Sequence, residues 1–227
     1  MIPIQNIYYM LSYAFQVLNE QGYKNIATEQ FNNTGELMAA ILEKGIAIQL
    51  KRGLGKEYIP QTETLSSLRG KIDIAESIKT QSMLRKQLIC TYDEFSVNSI
   101  MNRIIKSTVE LFLRSNISKQ RKKNLRKLMV YFSEVDFIDL YTVNWNVQYN
   151  RNNQTYRMLI SICYLVVKGL LQTQSNGHTE LMDFLDEQRM CRLYEKFILE
   201  YYRKEFKNQF TANASQIPWQ LDNEENS

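Results

Sequence analysis

The 227 residues are 44% hydrophobic and 23% charged, an ordinary balance for a folded soluble chain that argues against wholesale disorder. Twenty-eight Lys and Arg against 24 Asp and Glu leave a net charge of +4, which permits nucleic-acid contact without arguing for it. The three isolated cysteines, Cys90, Cys163 and Cys191, have no CxxC or zinc-finger spacing, so neither a disulfide framework nor a structural zinc site is supported, and a reducing cytoplasm fits best. Gln5, Asn6 and Ser12 interrupt the N-terminal apolar stretch, so no signal peptide is expected. The longest apolar run, 160–167, is too short to span a bilayer.

In chain order, residues 4–19 predict a helix, with Ile7, Met10, Leu11, Ala14, Val17 and Leu18 on one stripe. A second helix runs from Thr34, the expected N-cap, to Lys51, and Gly53 and Gly55 break it. Lys56 to Ile74 lacks a helical stripe and predicts extended or hairpin structure. Within it, 68–74 alternates apolar and polar residues as a half-buried strand does. A short strand is expected over 88–92. Helices follow at 97–113 and 118–131, then an aromatic- and Asn-rich loop with short strands over 135–153, then a helix at 156–171. The polar segment Gln174–Gly177 marks a domain boundary. Beyond it, 186–208 predicts a long helix, and 221–227 an acidic frayed tail. The fold class is α+β and predominantly α-helical.

No GxxxxGK[ST], HExxH or GxSxG motif is present. Gly53-Leu54-Gly55-Lys56 follows a helix and lacks the Ser or Thr of a phosphate loop, so it reads as a turn. His178 is the sole histidine, which leaves no strong claim for a Ser-His-Asp or Cys-His arrangement. Lys119, Arg121, Lys122, Lys123, Arg126 and Lys127 form the densest basic run, with no acid among them. On a helix Lys119, Lys123, Arg126 and Lys127 share one side. They suit either sequence-independent phosphate neutralisation or a plain solvated face. Asp183, Asp186 and Glu187 are followed by no Asp…[DE]-x-Lys pair and fit helix capping better than a metal site. Glu195 lies within the apolar pattern of the 186–208 helix, where solvent exposure is the default reading. The residues alone describe a helical protein with a small strand region and a basic face, not an enzyme.

Five segments, in order, resemble the McrC family. They are Ile2-Pro3-Ile4-Gln5-Asn6-Ile7-Tyr8-Tyr9-Met10-Leu11-Ser12-Tyr13-Ala14, Lys51-Arg52-Gly53-Leu54 with Tyr58, Leu68-Arg69-Gly70-Lys71-Ile72-Asp73, Asn102-Arg103-Ile104-Ile105-Lys106-Ser107-Thr108, and Leu193-Tyr194-Glu195-Lys196-Phe197. The first and fourth are the specific ones. The resemblance implies a subunit of a GTP-dependent modified-cytosine restriction system. Such a subunit docks its N-terminal region into the pore of a McrB-like AAA+ GTPase ring and stimulates GTP hydrolysis, and the ring partner binds GTP and reads the modified base. It further implies a ring-engaging domain over 1–175, and over 176–227 the start of a PD-(D/E)xK nuclease domain cut off before its catalytic motif. Mg²⁺ would serve only an intact family nuclease, with DNA bound by the assembled complex and Glu195 a candidate accessory metal-shell residue. This chain alone is expected to bind no cofactor and to cut no DNA. Two alternatives stand beside this reading. One is a component of a split Mg²⁺-dependent endonuclease; the other is a helical nucleic-acid-binding protein using the 119–127 face.

Overall fold

The computed structural model describes residues 4–15, 18, 23, 26, 28–149, 153, 155–171 and 187–214. Helix α1 (Ile4–Ala14) buries Ile7, Met10, Leu11 and Ala14, the expected three- and four-residue stripe. It ends earlier than periodicity suggests. Leu18 lies in a tighter turn, its N–H bonded to the Phe15 carbonyl at 2.9 Å, rather than on a continuing α-helix.

Helix α2 (Thr34–Arg52) is capped by Asn33, whose Oδ1 accepts from the Glu36 N–H at 2.8 Å; Thr34, the expected cap, is its first helical residue. Asn33 wins because its extended backbone aims the carboxamide oxygen at a free first-turn N–H. Gly53, at φ +89°, closes the helix.

Strand β1 (Glu57–Leu65) and strand β3 (Leu88–Ser96) pair antiparallel over nine residues, from Glu57 opposite Ser96 to Leu65 opposite Leu88. Between them lie strand β2 (Lys71–Ile72), helix α3 (Ile74–Lys79) and a 3-10 turn at Ser82–Arg85. The sheet order is β1-β3-β2. The alternation over 68–74 therefore overstates the strand, because only Lys71 and Ile72 pair, opposite Thr91 and Cys90. Asp73 ends it. Its Oδ1 accepts from the Glu76 N–H at 2.9 Å and opens α3 instead. Conversely, β3 runs four residues past the expected 92, because β1 offers it a partner along its whole length.

Helix α4 (Ile100–Arg114) starts three residues later than its apolar stripe, with Ser99 as N-cap. Helix α5 (Lys119–Met129), capped by Ser118, runs into a 3-10 turn at Val130–Phe132. Residues 133–149 contain no strand, contrary to expectation. Their backbone is held from α4 instead: Lys106 Nζ donates to the carbonyls of Phe132 (2.9 Å) and Val135 (2.5 Å), and Ser107 Oγ accepts from the Ile138 N–H at 2.9 Å.

Helices α6 (Tyr156–Leu171) and α7 (Glu187–Glu205) complete the body. One core joins α1, α2, α4, α5 and α6 through Leu11, Leu37, Ile41, Ile104, Phe112, Leu125 and Ile162, all fully buried. Helix α7, assigned from sequence to the C-terminal unit, lies on α1. Leu193 enters the core, and Tyr13 donates to Glu205 Oε1 at 2.8 Å. Phe197 packs edge-on against Tyr13 at 5.6 Å between ring centroids, and the Lys196 ammonium stands 3.9 Å over the Phe15 ring. The 174–177 boundary, His178, Asp183, Asp186 and the 221–227 tail lie outside the described residues.

Candidate functional site

Two surfaces stand out, and the first is the sheet. No residue between Glu57 and Ser96 joins the helical core; Ile89 and Cys90 are buried within the sheet's own packing. With both chain connections to the body at one end, β1 and β3 form an arm. Nine residues at strand rise reach about 30 Å. The far end, 66–87, is stabilised by a small polar centre. Ser77 Oγ donates to the Asp73 carbonyl at 2.6 Å and accepts from the Ile89 N–H at 2.8 Å, and Ser82 Oγ donates to the Ser77 carbonyl at 3.2 Å. Gly70, at φ +68°, allows β2 to cross Thr91 and Tyr92, where any Cβ would collide with the Thr91 carbonyl. Arg69 stacks over the Tyr92 ring at 3.8 Å.

That far end is apolar and open. Leu84 is 82% exposed, Leu68 68% and Ile78 62%, with Ile74 and Met83 also outward. These side chains sit on one short segment above a stem whose exposed positions include Glu63, Asp93 and Glu94. Several large apolar side chains left exposed within one segment mark a candidate contact surface.

The arm's root is held by one buried polar knot. Asn102 Nδ2 donates to the Gly55 carbonyl at 2.9 Å and to the Val97 carbonyl at 2.8 Å. The Tyr156 hydroxyl donates to Asn102 Oδ1 at 2.8 Å and accepts the Gly55 N–H at 2.7 Å. Burial raises the Tyr156 pKa, keeping the hydroxyl protonated as a donor. Gly53–Lys56 is an irregular connector between α2 and β1, and its backbone groups bond to the protein's own side chains.

The second surface is α5. Lys119, Lys123, Arg126 and Lys127 are exposed on one side, without ion-pair partners among the described residues, and Lys122 is half-buried at their edge. Arg121 departs from them. It turns inward, with Nη1 2.9 Å from Glu43 Oε2, Nη2 3.3 Å from Glu29 Oε2 and Nε 3.7 Å from Glu36 Oε2. Burial works against its charge, but Glu43 and Glu29 more than offset this and its pKa is raised. Glu195 is exposed on α7. No group of three His, Cys, Asp or Glu side chains converges as a metal site among the described residues, so Glu195 would need carboxylates beyond these to help hold Mg²⁺. Among the described residues no helix is long and apolar enough to cross a membrane.

A helical body presenting a long antiparallel arm with an apolar end defines an α+β protein whose accessible features are contact surfaces. The McrBC 5-methylcytosine restriction system component family matches residues 5–226, and the chain belongs to that family. It is 29% identical over 221 residues to the Escherichia coli K12 type IV methyl-directed restriction enzyme EcoKMcrBC, a match covering 96% of this chain and 63% of the relative. The chain therefore spans less than two thirds of that relative's length. The fold matches a chain of the cryo-EM structure of the Thermococcus gammatolerans McrBC complex with a TM-score of 0.59 at 21% identity, covering 89% of this chain and 58% of that one. It also matches a chain of the refined half-complex from the tetradecameric assembly of T. gammatolerans McrB AAA+ hexamers with bound McrC. There the TM-score is 0.56 at 20% identity, covering 86% and 47% of the two chains.

Proposed function

We propose that this chain is a McrC-type subunit whose arm enters an AAA+ GTPase ring and raises its GTP turnover, within a cytoplasmic modified-cytosine DNA restriction system. The observation that carries the reading is the arm itself: a stem about 30 Å long with Leu68, Ile74, Ile78, Met83 and Leu84 exposed at its far end. An apolar cluster held out from the body suits insertion between subunits of a ring. Family membership supports the restriction context, and the fold match to structures that contain McrB AAA+ hexamers with bound McrC supports the ring as partner. GTP would belong to the ring, since Gly53-Leu54-Gly55-Lys56 is not a phosphate loop. DNA cleavage would need further carboxylates beside Glu195, whose proposed part is that of an accessory residue, since one Glu cannot assemble a Mg²⁺ site.

The test mixes the chain with its McrB-like AAA+ partner and measures GTP turnover. Stimulation by the unaltered chain, lost in a Leu84→Asp/Ile78→Asp variant of unchanged thermal stability, is the expected result. No stimulation and no co-purification would sink the reading. A second reading has its own observation, the four exposed cations of α5 without ion-pair partners among the described residues, which fit DNA phosphates in the assembled complex.

A further inference from the structure

The arm meets the body at two short lengths of chain, Gly53–Lys56 leading out and Ser96–Ser99 leading back, and a single side chain bonds both. Asn102 Nδ2 reaches the outgoing root at Gly55 and the returning root at Val97. Tyr156, on α6, closes the loop by bonding Asn102 Oδ1 and the Gly55 N–H. Asn102 is 0% exposed and Tyr156 2%, so both side chains of the knot are withdrawn from solvent, while Gly55 and Val97 are half-buried. Both Nδ2 bonds of Asn102 and its Oδ1 are used, and the Tyr156 hydroxyl both donates and accepts. Swinging the arm on its roots would break at least two of these bonds and leave the buried Asn102 and Tyr156 polar atoms unpaired. The ties that Asn98 makes to the returning root lie at the surface instead. Asn98 Nδ2 donates to Asp136 Oδ2 at 2.6 Å, and Asn98 Oδ1 accepts from the Asp136 N–H at 2.8 Å, both in contact with solvent.

We propose that Asn102 and Tyr156 are positioning residues for ring engagement: they fix the angle at which the arm leaves the body, and so pre-organise it for its partner. This rests on the arm being the ring-binding element. The knot touches no partner itself. Its effect is on the fraction of molecules whose arm points correctly, and apparent affinity scales with that fraction. Loss of the knot therefore raises the concentration needed for half-maximal stimulation while leaving the plateau intact. If one arm in ten keeps the productive angle, the half-stimulating concentration rises about tenfold.

The experiment combines two readouts on the full chain. Spin labels at Leu84→Cys on the arm's end and Gln120→Cys on α5, in a Cys191→Ser background, report the arm-to-body distance; Cys90 and Cys163 are buried. GTP turnover by the ring is then titrated with unlabelled protein. Tyr156→Phe should broaden the distance distribution and raise the half-stimulating concentration several-fold at an unchanged plateau, whereas Asn98→Ala should leave both in place. An unchanged distribution in Tyr156→Phe, or a broadened one with an unchanged half-stimulating concentration, overturns the proposal. A body that merely unfolds more easily would lower the melting temperature without broadening the distribution below it, and that also counts against the proposal. Should Tyr156→Phe fail to fold, Gly55→Ala probes the same junction, because its Cβ would stand 3.0 Å from a Tyr156 ring carbon and displace the outgoing root. If the unaltered chain gives no stimulation, the ring reading fails, and the distances alone still decide whether the knot sets the arm's angle.

Discussion

Arg121 Nη1 stands 2.9 Å from Glu43 Oε2, across the contact between α5 and α2. The pair belongs to a set in which one guanidinium serves three carboxylates, and Asn124 Nδ2 adds a 2.9 Å hydrogen bond to Glu43 Oε1. The Arg121, Glu36 and Glu43 side chains are largely withdrawn from water, so removing the cation leaves carboxylates facing one another in a poorly solvated seam. Arg121→Met should cost about 3 kcal/mol in urea unfolding. Lys123→Gln, two residues away on the open side, should stay within about 0.5 kcal/mol. Equal effects from the two substitutions would refute the division of this helix into an anchoring and a solvent-facing side.

The same helix shows what the sequence conceals. The helix is legible over 118–131, but its Ser118 cap is seen only in the structure, and Arg121 is indistinguishable from its basic neighbours until Glu43, 78 residues away, is brought beside it. Helix α4 is legible from its apolar stripe, whereas the use of Asn102 depends on Gly55 and Tyr156, 47 and 54 residues distant. The distal arm is misread locally, because Asp73 fits a polar position in a strand pattern as well as it fits a helix cap. Its capping bond decides the matter only in three dimensions. Periodicity reports which side of an element faces the core. It is silent on polar side chains whose partners come from elsewhere in the chain.

If α5 meets DNA in the assembled complex, its exposed side sets the salt dependence. Neutralising Lys119, Lys123 and Lys127 to Gln should lower the slope of log binding constant against log salt by about 0.9 per lost phosphate contact, or about 2.7 for three. Arg121→Met should leave that slope alone, because its charge is directed inward. Fluorescence anisotropy with duplex DNA over a salt series reads both. An unchanged slope in the triple variant would make this side a solvated helix face and nothing more.

Cys163, fully buried on α6, has its thiol pKa pushed up from the ordinary thiol range to about 12, chiefly by burial. The folded state therefore holds this proton more tightly than the unfolded chain does. The resulting stabilisation is complete below pH 9 and is lost as pH rises from about 9 toward about 12. Native protein at pH 8 should leave Cys163 unmodified by a thiol-specific disulfide reagent, with reaction following unfolding. Cys163→Ala should show a shallower alkaline fall in unfolding free energy than the parent. Rapid labelling of Cys163 without unfolding would contradict the burial on which this rests.

Gly70 offers a way to disturb the arm without touching the body. Its φ of +68° is one that a residue with a Cβ adopts at a cost of about 1–2 kcal/mol, and here the added carbon would also meet the Thr91 carbonyl. Gly70→Ala should pull β2 away from β3 and expose the Asp73 N–H, now bonded to the Ile89 carbonyl at 2.8 Å. Hydrogen exchange should then quicken at Asp73 and along α3, while amides around Phe112 in the helical core keep their protection, because none of the arm joins that core. The apolar end carrying Leu68, Ile78 and Leu84 would lose its fixed arrangement, and ring stimulation should fall even though the melting of the body is unchanged. Normal exchange at Asp73 with normal stimulation would show that the distal arm tolerates a side chain at this crossing, against the geometry of Gly70 over Thr91.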